Sequence, residues 1–106
     1  HGACGGVTAA LTGAGKQDAE FIDDWIALLD EARDRVLSGD HQDRQRALEL
    51  EGVKVSLANL RTFPFIAERE EAGLLKVHGC YFAIAEGTLY ELDEPTGRFQ
   101  AVPEGD

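Results

Sequence analysis

The most informative stretch of the chain is His1-Gly2-Ala3-Cys4-Gly5-Gly6, residues 1–6, which places an imidazole and a thiol three positions apart. Imidazole and thiolate are both good zinc ligands, and an H-x-x-C spacing can place both on one ion. Glycine permits tight backbone turns, so residues 1–6 are predicted to form a loop. A short helix is predicted over Val7–Leu11, ended by Gly13–Gly15.

Three interpretations of this histidine and cysteine are open from their spacing alone. They can be two ligands of a zinc ion, which needs one or two more protein ligands for a tetrahedral site. They can equally be incidental members of a glycine-rich turn. Cys4 can also act as a redox thiolate, because a helix N-terminus stabilises a negatively charged sulfur.

Two long helices are predicted downstream of the loop. Residues 18–37 begin at Asp18 as N-cap and carry one apolar stripe. The members of that stripe are Phe21, Trp25, Leu28, Leu29, Ala32 and Val36. Ser38-Gly39-Asp40 is predicted to close this helix and cap the second, over residues 41–61, whose apolar stripe is Leu50, Val53, Leu57 and Leu60.

The pattern changes after these helices. Proline disfavours the α region in the residue before it, so Phe63-Pro64 predicts a break, followed by a short helix from Phe65 to Ala72. Leu74–Ala85 and Thr88–Leu92 are predicted strands joined by a turn, with Phe99–Val102 as a candidate third strand. A sheet of only two or three strands is marginally stable in water. We therefore expect these strands to extend a sheet whose other members lie outside this chain.

Composition restricts the class of partner and the compartment. Among 106 residues, Asp and Glu number 20 against 10 Lys and Arg, giving a net charge of −10. Such a chain repels phosphate backbones and anionic lipid, so we predict neither a nucleic-acid nor a membrane partner. The chain has 2 cysteines, Cys4 and Cys80, and this low usage suits a reducing, cytoplasmic compartment.

The motif His1-x-x-Cys4-Gly5-Gly6, with the apolar residues that follow it, resembles the second zinc motif of the β-class carbonic anhydrases. The resemblance covers nearly the whole chain and keeps the family's order. Its further members are Trp25, Val53–Leu60, Asn59-Leu60-Arg61-Thr62-x-Pro64, Val77-His78-Gly79 and Glu86-Gly87. No single motif is decisive, but the ordered set is quite specific.

The resemblance implies roles for three residues of the first loop. His1 and Cys4 would be two zinc ligands, and Gly5 would lie beside the metal and offer its backbone N–H to a bound anionic substrate. The family also has an earlier Cys-x-Asp-x-Arg motif, which no cysteine of this sequence matches. Because the sequence has no methionine and begins with histidine, we expect that motif, with the catalytic Asp/Arg pair, before residue 1.

The resemblance also implies a fold and an activity. The fold would be α/β, with helices followed by a C-terminal antiparallel strand pair. Residues 1–106 would form the C-terminal portion of one domain, with the zinc loop and short helix in 1–15, helices in 18–72 and strands in 74–102.

The implied reaction is zinc-dependent, reversible hydration of carbon dioxide to bicarbonate and a proton by zinc-bound hydroxide, in a homo-dimer or tetramer. The 106-residue chain alone is predicted to be inactive, because it supplies too few zinc ligands. The alternative is a non-catalytic binding or assembly module with a degenerate or structural zinc loop.

Four other side chains have plainer expected roles. His78 is predicted to lie in a strand, hydrogen bonded to backbone, without a ligand role. Cys80 is predicted to be a buried core thiol. Trp25 is assigned to the core or to a subunit interface, and Arg61 to an ion pair with a carboxylate.

Overall fold

Five α-helices precede a three-stranded sheet in the computed structural model, which describes residues 1–13 and 20–104. The helices are α1 (Gly5–Thr12), α2 (Glu20–Ile26), α3 (Asp30–Ser38), α4 (Arg44–Leu60) and α5 (Pro64–Glu71). The strands are β1 (Cys80–Ala83), β2 (Thr88–Asp93) and β3 (Arg98–Ala101). This order confirms the prediction of helices followed by antiparallel strands, and β3 confirms the third strand. None of the helices described is both long enough and apolar enough to cross a bilayer.

The predicted helix over residues 18–37 is interrupted. A single 3₁₀ turn, Ala27–Leu29, separates α2 from α3. Because a 3₁₀ turn has fewer residues per turn than an α-helix, it changes which side chains face inward. Ile26 is buried, whereas Trp25 is 68% exposed, so of the two predicted places for Trp25 the core is wrong and the subunit interface stays a prediction. The predicted cap Asp18 and the side chain of Phe21 lie outside the described part of the chain.

Helix α4 begins three residues later than predicted. The side chain of Asp43 accepts a hydrogen bond from the backbone N–H of Arg46 at 2.9 Å. An aspartate in this position satisfies a helix N–H that has no intrahelical acceptor. The cap predicted at Ser38-Gly39-Asp40 is therefore wrong for α4, although Ser38 does end α3.

The helical core lies where α1, α2, α3 and α4 meet. Its most buried members are Ala10, Ile26, Ala32, Val36 and Leu48. Leu48 and Val36 are the largest fully buried side chains of the described residues. A second buried layer lies between α4 and the sheet, formed by Leu57, Tyr81, Ala83 and Leu92. Helix α4 therefore packs on two sides, against the other helices and against the sheet.

The sheet has the order β1-β2-β3 and is antiparallel throughout, with Phe82 opposite Leu89 and Leu92 opposite Phe99. The turn between β1 and β2 requires Gly87, whose φ of +63° lies in the left-handed region that favours glycine. Strand β1 is much shorter than the predicted Leu74–Ala85, and Gly79, just before it, passes close to α4. A Cβ built on Gly79 would lie 2.8 Å from Leu57 Cδ1.

Two predictions about the start of β1 are corrected by this short strand. His78 lies before β1 rather than within it, and its Nδ1 contacts a carboxyl oxygen of Glu91 at 3.1 Å instead of backbone. Cys80 is the first residue of β1 and is exposed, not buried in the core. Alternation along the strand explains this, since Tyr81 and Ala83 take the two positions that face α4.

Arg61 joins α4 to α5 and to the β2–β3 turn. Its Nε and Nη2 donate to the two carboxyl oxygens of Glu70, both at 2.9 Å, and its guanidinium also binds Glu94. The predicted ion pair of Arg61 is confirmed, with two carboxylates rather than one. Hydrogen bonds from Arg61 lower the pKa of Glu94 below its usual range.

Replacing Arg61 with methionine is expected to lower the free energy of unfolding at pH 7 by roughly 1 kcal/mol, the upper end for partly exposed pairs. Because the folded-state pKa of Glu94 is lowered, this stabilisation is complete above about pH 4.3, the ordinary pKa of Glu. It is lost as the pH falls through the lowered pKa. Urea unfolding of both proteins along this pH range measures the difference.

Arg69→Met is the control, because Arg69 lies on α5 and stacks on the ring of Phe65 at 6.0 Å. The loss of unfolding free energy in Arg69→Met is expected to be independent of pH below neutrality. A difference between wild type and Arg61→Met that stays constant into the acid range would contradict the ion-pair account.

Candidate metal centre

The first four residues form a tight turn that leads directly into α1. Cys4 is the N-cap residue of α1 and is half-buried, whereas His1 is exposed. Ala3 between them has a φ of 55°, the one positive φ of a residue other than glycine in the described chain. Such a conformation costs energy in an L-residue, so the turn must be held by its surroundings.

The imidazole of His1 is oriented by its own turn. Its Nδ1 lies 2.9 Å from the carbonyl oxygen of Gly2, and since a carbonyl only accepts, Nδ1 donates. Nε2 is then the unprotonated nitrogen with a lone pair. A histidine that ligates a metal commonly has its other nitrogen bonded in this way, so the tautomer suits a metal ligand.

The turn is attached to the edge of the sheet. The backbone N–H of Gly2 donates to the carbonyl oxygen of Phe82 in β1 at 2.8 Å. A Cβ built on Gly2 would lie 3.1 Å from the hydroxyl of Tyr81 and 3.4 Å from the backbone nitrogen of Ile84. Glycine is therefore suited to this position, because the turn passes close to the strand.

A buried carboxyl group of α4 holds the peptide of Cys4. Oε2 of Glu49 accepts hydrogen bonds from the backbone N–H of Cys4 and from Nε2 of Gln45, each at 2.9 Å. Its Oε1 accepts from the hydroxyl of Tyr81 at 2.8 Å. Burial, then the hydrogen bond to Glu49, raises the pKa of Tyr81 to about 12, so Tyr81 stays protonated and keeps donating at neutral pH.

The carbonyl oxygen of Cys4 is equally well fixed. It accepts from the backbone N–H of Thr8 at 2.9 Å, from the hydroxyl of Thr8 at 3.0 Å and from Nε2 of Gln45 at 3.2 Å. Both polar groups of the Cys4 peptide backbone are thus bonded to other residues. The backbone that carries the Cys4 side chain is therefore held by hydrogen bonds at both its N–H and its carbonyl oxygen.

An aromatic pair supports the network from the sheet side. The guanidinium of Arg46 lies 5.6 Å from the ring centre of Tyr81 and 5.3 Å from that of Tyr90, within the range of a cation–π contact. Arg46 also pairs with Glu86, whose pKa is lowered by hydrogen bonds from Arg46 and Tyr90. This arrangement keeps the ring of Tyr81 in place beneath Glu49.

A small, mainly apolar cavity of about 210 Å³ adjoins Cys4. Its walls come from α1, α2, the 3₁₀ turn and α4, and include Val7, Trp25, Leu29 and Asn59. Cys4 thus lines an apolar cavity, while its backbone is part of a polar network.

The donor set fits zinc but is incomplete within the described residues. A histidine nitrogen and a cysteine sulfur are ligands that zinc prefers, and a catalytic zinc commonly has three protein ligands. Across residues 1–13 and 20–104, no three His, Cys, Asp or Glu side chains are grouped so as to hold one ion. His1 and Cys4 could therefore hold zinc only together with a ligand from elsewhere.

The structure brings His1 and Cys4 into one turn and places Gly5 at the first position of α1. The first N–H groups of a helix have no intrahelical acceptor, so the N–H of Gly5 is suited to an anion. The metal roles of His1 and Cys4 and the substrate role of Gly5 remain predictions. Sequence reasoning missed Gln45, Glu49 and Tyr81, because their roles depend on contacts between segments that are distant in sequence.

Comparison with known proteins shows which family the chain is similar to. A protein-family model described as carbonic anhydrase matches residues 1–89. Beta carbonic anhydrase 3 of Arabidopsis thaliana is 31% identical over 105 aligned positions, in a match that covers 91% of this chain and 41% of the relative. A carbonic anhydrase of Pseudomonas aeruginosa is 31% identical over 107 aligned positions, in a match that covers 98% of this chain and 49% of the relative.

The fold agrees with these sequence matches. The solved structure of the β-carbonic anhydrase CcaA superposes with a TM-score of 0.83 at 26% identity, over 94% of this chain and 51% of that one. The chain thus spans about half the length of the proteins that it resembles. Since the family model matches most of the chain and the fold agrees with that of a solved β-carbonic anhydrase, the chain belongs to the β-class carbonic anhydrase family.

Proposed function

We propose that the protein containing this chain hydrates carbon dioxide reversibly to bicarbonate and a proton, and that His1 and Cys4 are two of the ligands of its zinc ion. One observation supports this most directly. The family match covers the turn that carries both residues, and hydrogen bonds to Glu49 and Phe82 anchor that turn at the N-terminus of α1.

The residues of this chain have separate tasks in the proposed site. His1 and Cys4 would hold the metal, with a further ligand from outside the described residues. Zinc, when bound, would lower the pKa of a water molecule to about 7 and so make hydroxide available at neutral pH. The backbone N–H of Gly5 would bind an oxygen of bicarbonate, since it is directed out of the helix end.

A stopped-flow assay with a pH indicator tests this proposal on the full protein encoded by the gene. We expect rapid carbon dioxide hydration that is lost on chelation of zinc and restored when zinc is added. The 106-residue chain alone is expected to show no hydration above the buffer rate, because its described residues supply too few ligands. A full protein that contains zinc but does not accelerate hydration would contradict the proposed function.

The incomplete donor set favours the second candidate, a non-catalytic binding or assembly module. In that case the turn of His1 and Cys4 would have only a structural role. The same assay separates the candidates, because such a module would show no hydration at any zinc concentration.

We further propose a homo-oligomer and a cytoplasmic location. Support for the oligomer is the exposure of Trp25 at 68% and Leu28 at 57%, because large exposed apolar side chains favour an interface. Support for the location is that both cysteines are free, which suits a reducing compartment. Sedimentation of the full protein tests the proposed oligomer, and a monomer would contradict it. Imaging of a tagged copy tests the proposed cytoplasmic location.

A further inference from the structure

Glu49 is buried to an extent that requires explanation. It is 5% exposed and is the one charged residue in the buried set of the described chain. A carboxyl group removed from water is costly unless hydrogen bonds satisfy its oxygens. Here all three recorded bonds are donated to it, by Cys4, Gln45 and Tyr81.

The contact to Cys4 spans a large sequence separation and reaches the backbone of the candidate ligand itself. Glu49 lies on α4, 45 positions from Cys4. Fixing the N–H of Cys4 fixes its peptide plane and so the direction in which its Cα–Cβ bond leaves the turn. The preceding Ala3 has the unfavourable φ of 55°, so this conformation depends on external bonds.

We infer that Glu49 is a positioning residue for the Cys4 thiolate, acting by accepting the hydrogen bond of the Cys4 N–H. It does not touch the metal. The inference rests on the proposed function, because it assigns Glu49 a task in the same site. It predicts that the acceptor oxygen, rather than the negative charge, is the property that matters.

Two variants separate acceptor from charge. Glu49→Leu keeps much of the volume but has no acceptor. In Glu49→Gln the amide oxygen can replace Oε2 and accept from Cys4 and Gln45. Its amide NH₂ then donates to the hydroxyl oxygen of Tyr81, which is able to accept.

The measurements use the full protein. We expect Glu49→Leu to weaken zinc binding, measured by competition with a chelator, by about 10- to 100-fold, the range found when the partners of metal ligands are removed. The sulfur-to-metal charge-transfer absorption of the Co²⁺-loaded protein is expected to shift. Amide hydrogen exchange at Cys4 in the metal-free protein is expected to accelerate. Glu49→Gln is expected to restore all three to near wild-type values.

One control tests for a merely structural role. Val36→Ala removes buried volume in the helical core without altering a member of the network. It is expected to keep zinc affinity and Cys4 exchange near wild type in the folded protein.

Three outcomes would overturn the inference: wild-type zinc affinity and exchange in Glu49→Leu, equal losses in Val36→Ala, or no recovery in Glu49→Gln. If Glu49→Leu does not fold, Glu49→Asp, whose carboxyl group is one methylene further from Cys4, takes its place with the same expected direction. Failure of the proposed function is distinguishable, because it would appear as an inactive wild type. Exchange at Cys4 would still report on Glu49 in the absence of metal.

Discussion

The variant Cys4→Ser is expected to lose zinc affinity by at least about 100-fold, since removal of a ligand should exceed the 10- to 100-fold cost of removing a ligand's partner. Serine keeps the size and the backbone bonds of Cys4 but replaces the soft thiolate by a hydroxyl, which is a poor zinc ligand at neutral pH. Carbon dioxide hydration should fall in parallel. Chelator competition and stopped-flow assays on the full protein measure the two losses.

Cys80→Ser is the matched control for this prediction. Cys80 is the other cysteine, and it lies exposed at the start of β1. Its replacement is expected to leave zinc affinity and hydration unchanged. Equal zinc affinity in Cys4→Ser and wild type would show that Cys4 is not a ligand. A redox role for Cys4 would gain support if alkylation abolished a thiol-exchange activity in the metal-free protein.

The second large effect is expected at the helical core. Leu48 is 0% exposed and packs with Ala10, Ile26, Ala32 and Val36. Replacing it with alanine removes buried methyl groups and leaves a cavity, which costs about 2–5 kcal/mol at such positions. That is a large share of the 5–15 kcal/mol by which domains are typically stable. Urea unfolding of the full protein at neutral pH measures the loss.

Leu74→Ala is the control for core packing, because Leu74 is 80% exposed. Its effect is expected to stay within about 0.5 kcal/mol. If Leu48→Ala changed stability by no more than this control, the packing of α4 against α1 and α3 would have to be revised.

Leu48 also shows where sequence patterns reach their limit for the fold. The predicted stripe of α4 was Leu50, Val53, Leu57 and Leu60, yet Leu48 and Leu57 are its buried apolar residues and Leu60 is 37% exposed. A periodic pattern assumes one buried face. Helix α4 packs against helices on one side and against the sheet on another, so its buried positions follow no single stripe.

The sheet also contains a contact that the sequence pattern does not predict. The change of period after Leu74 predicted strands and placed the turn at Glu86-Gly87, where the structure has the turn between β1 and β2. Composition alone did not reveal that Gly79 passes under α4, because this requires knowing where Leu57 and Val53 lie. The error for Cys80 has a different origin, because it follows from the alternation of buried and exposed positions along β1.

For the candidate site, local spacing predicted more than composition did. His1 and Cys4 are close in sequence, so a turn necessarily brings them near each other. Glu49 contacts Cys4, and Tyr81 contacts Glu49, only because α4 and β1 pack on the turn. Such long-range partners leave no local pattern in the sequence.

Anomalous scattering at the zinc edge from crystals of the full protein shows whether His1 and Cys4 hold a zinc ion. We expect a zinc ion about 2.0–2.1 Å from a ring nitrogen of His1 and about 2.3 Å from the sulfur of Cys4. A zinc ion bound without either residue, or zinc-supplemented protein that binds none, would contradict this expectation.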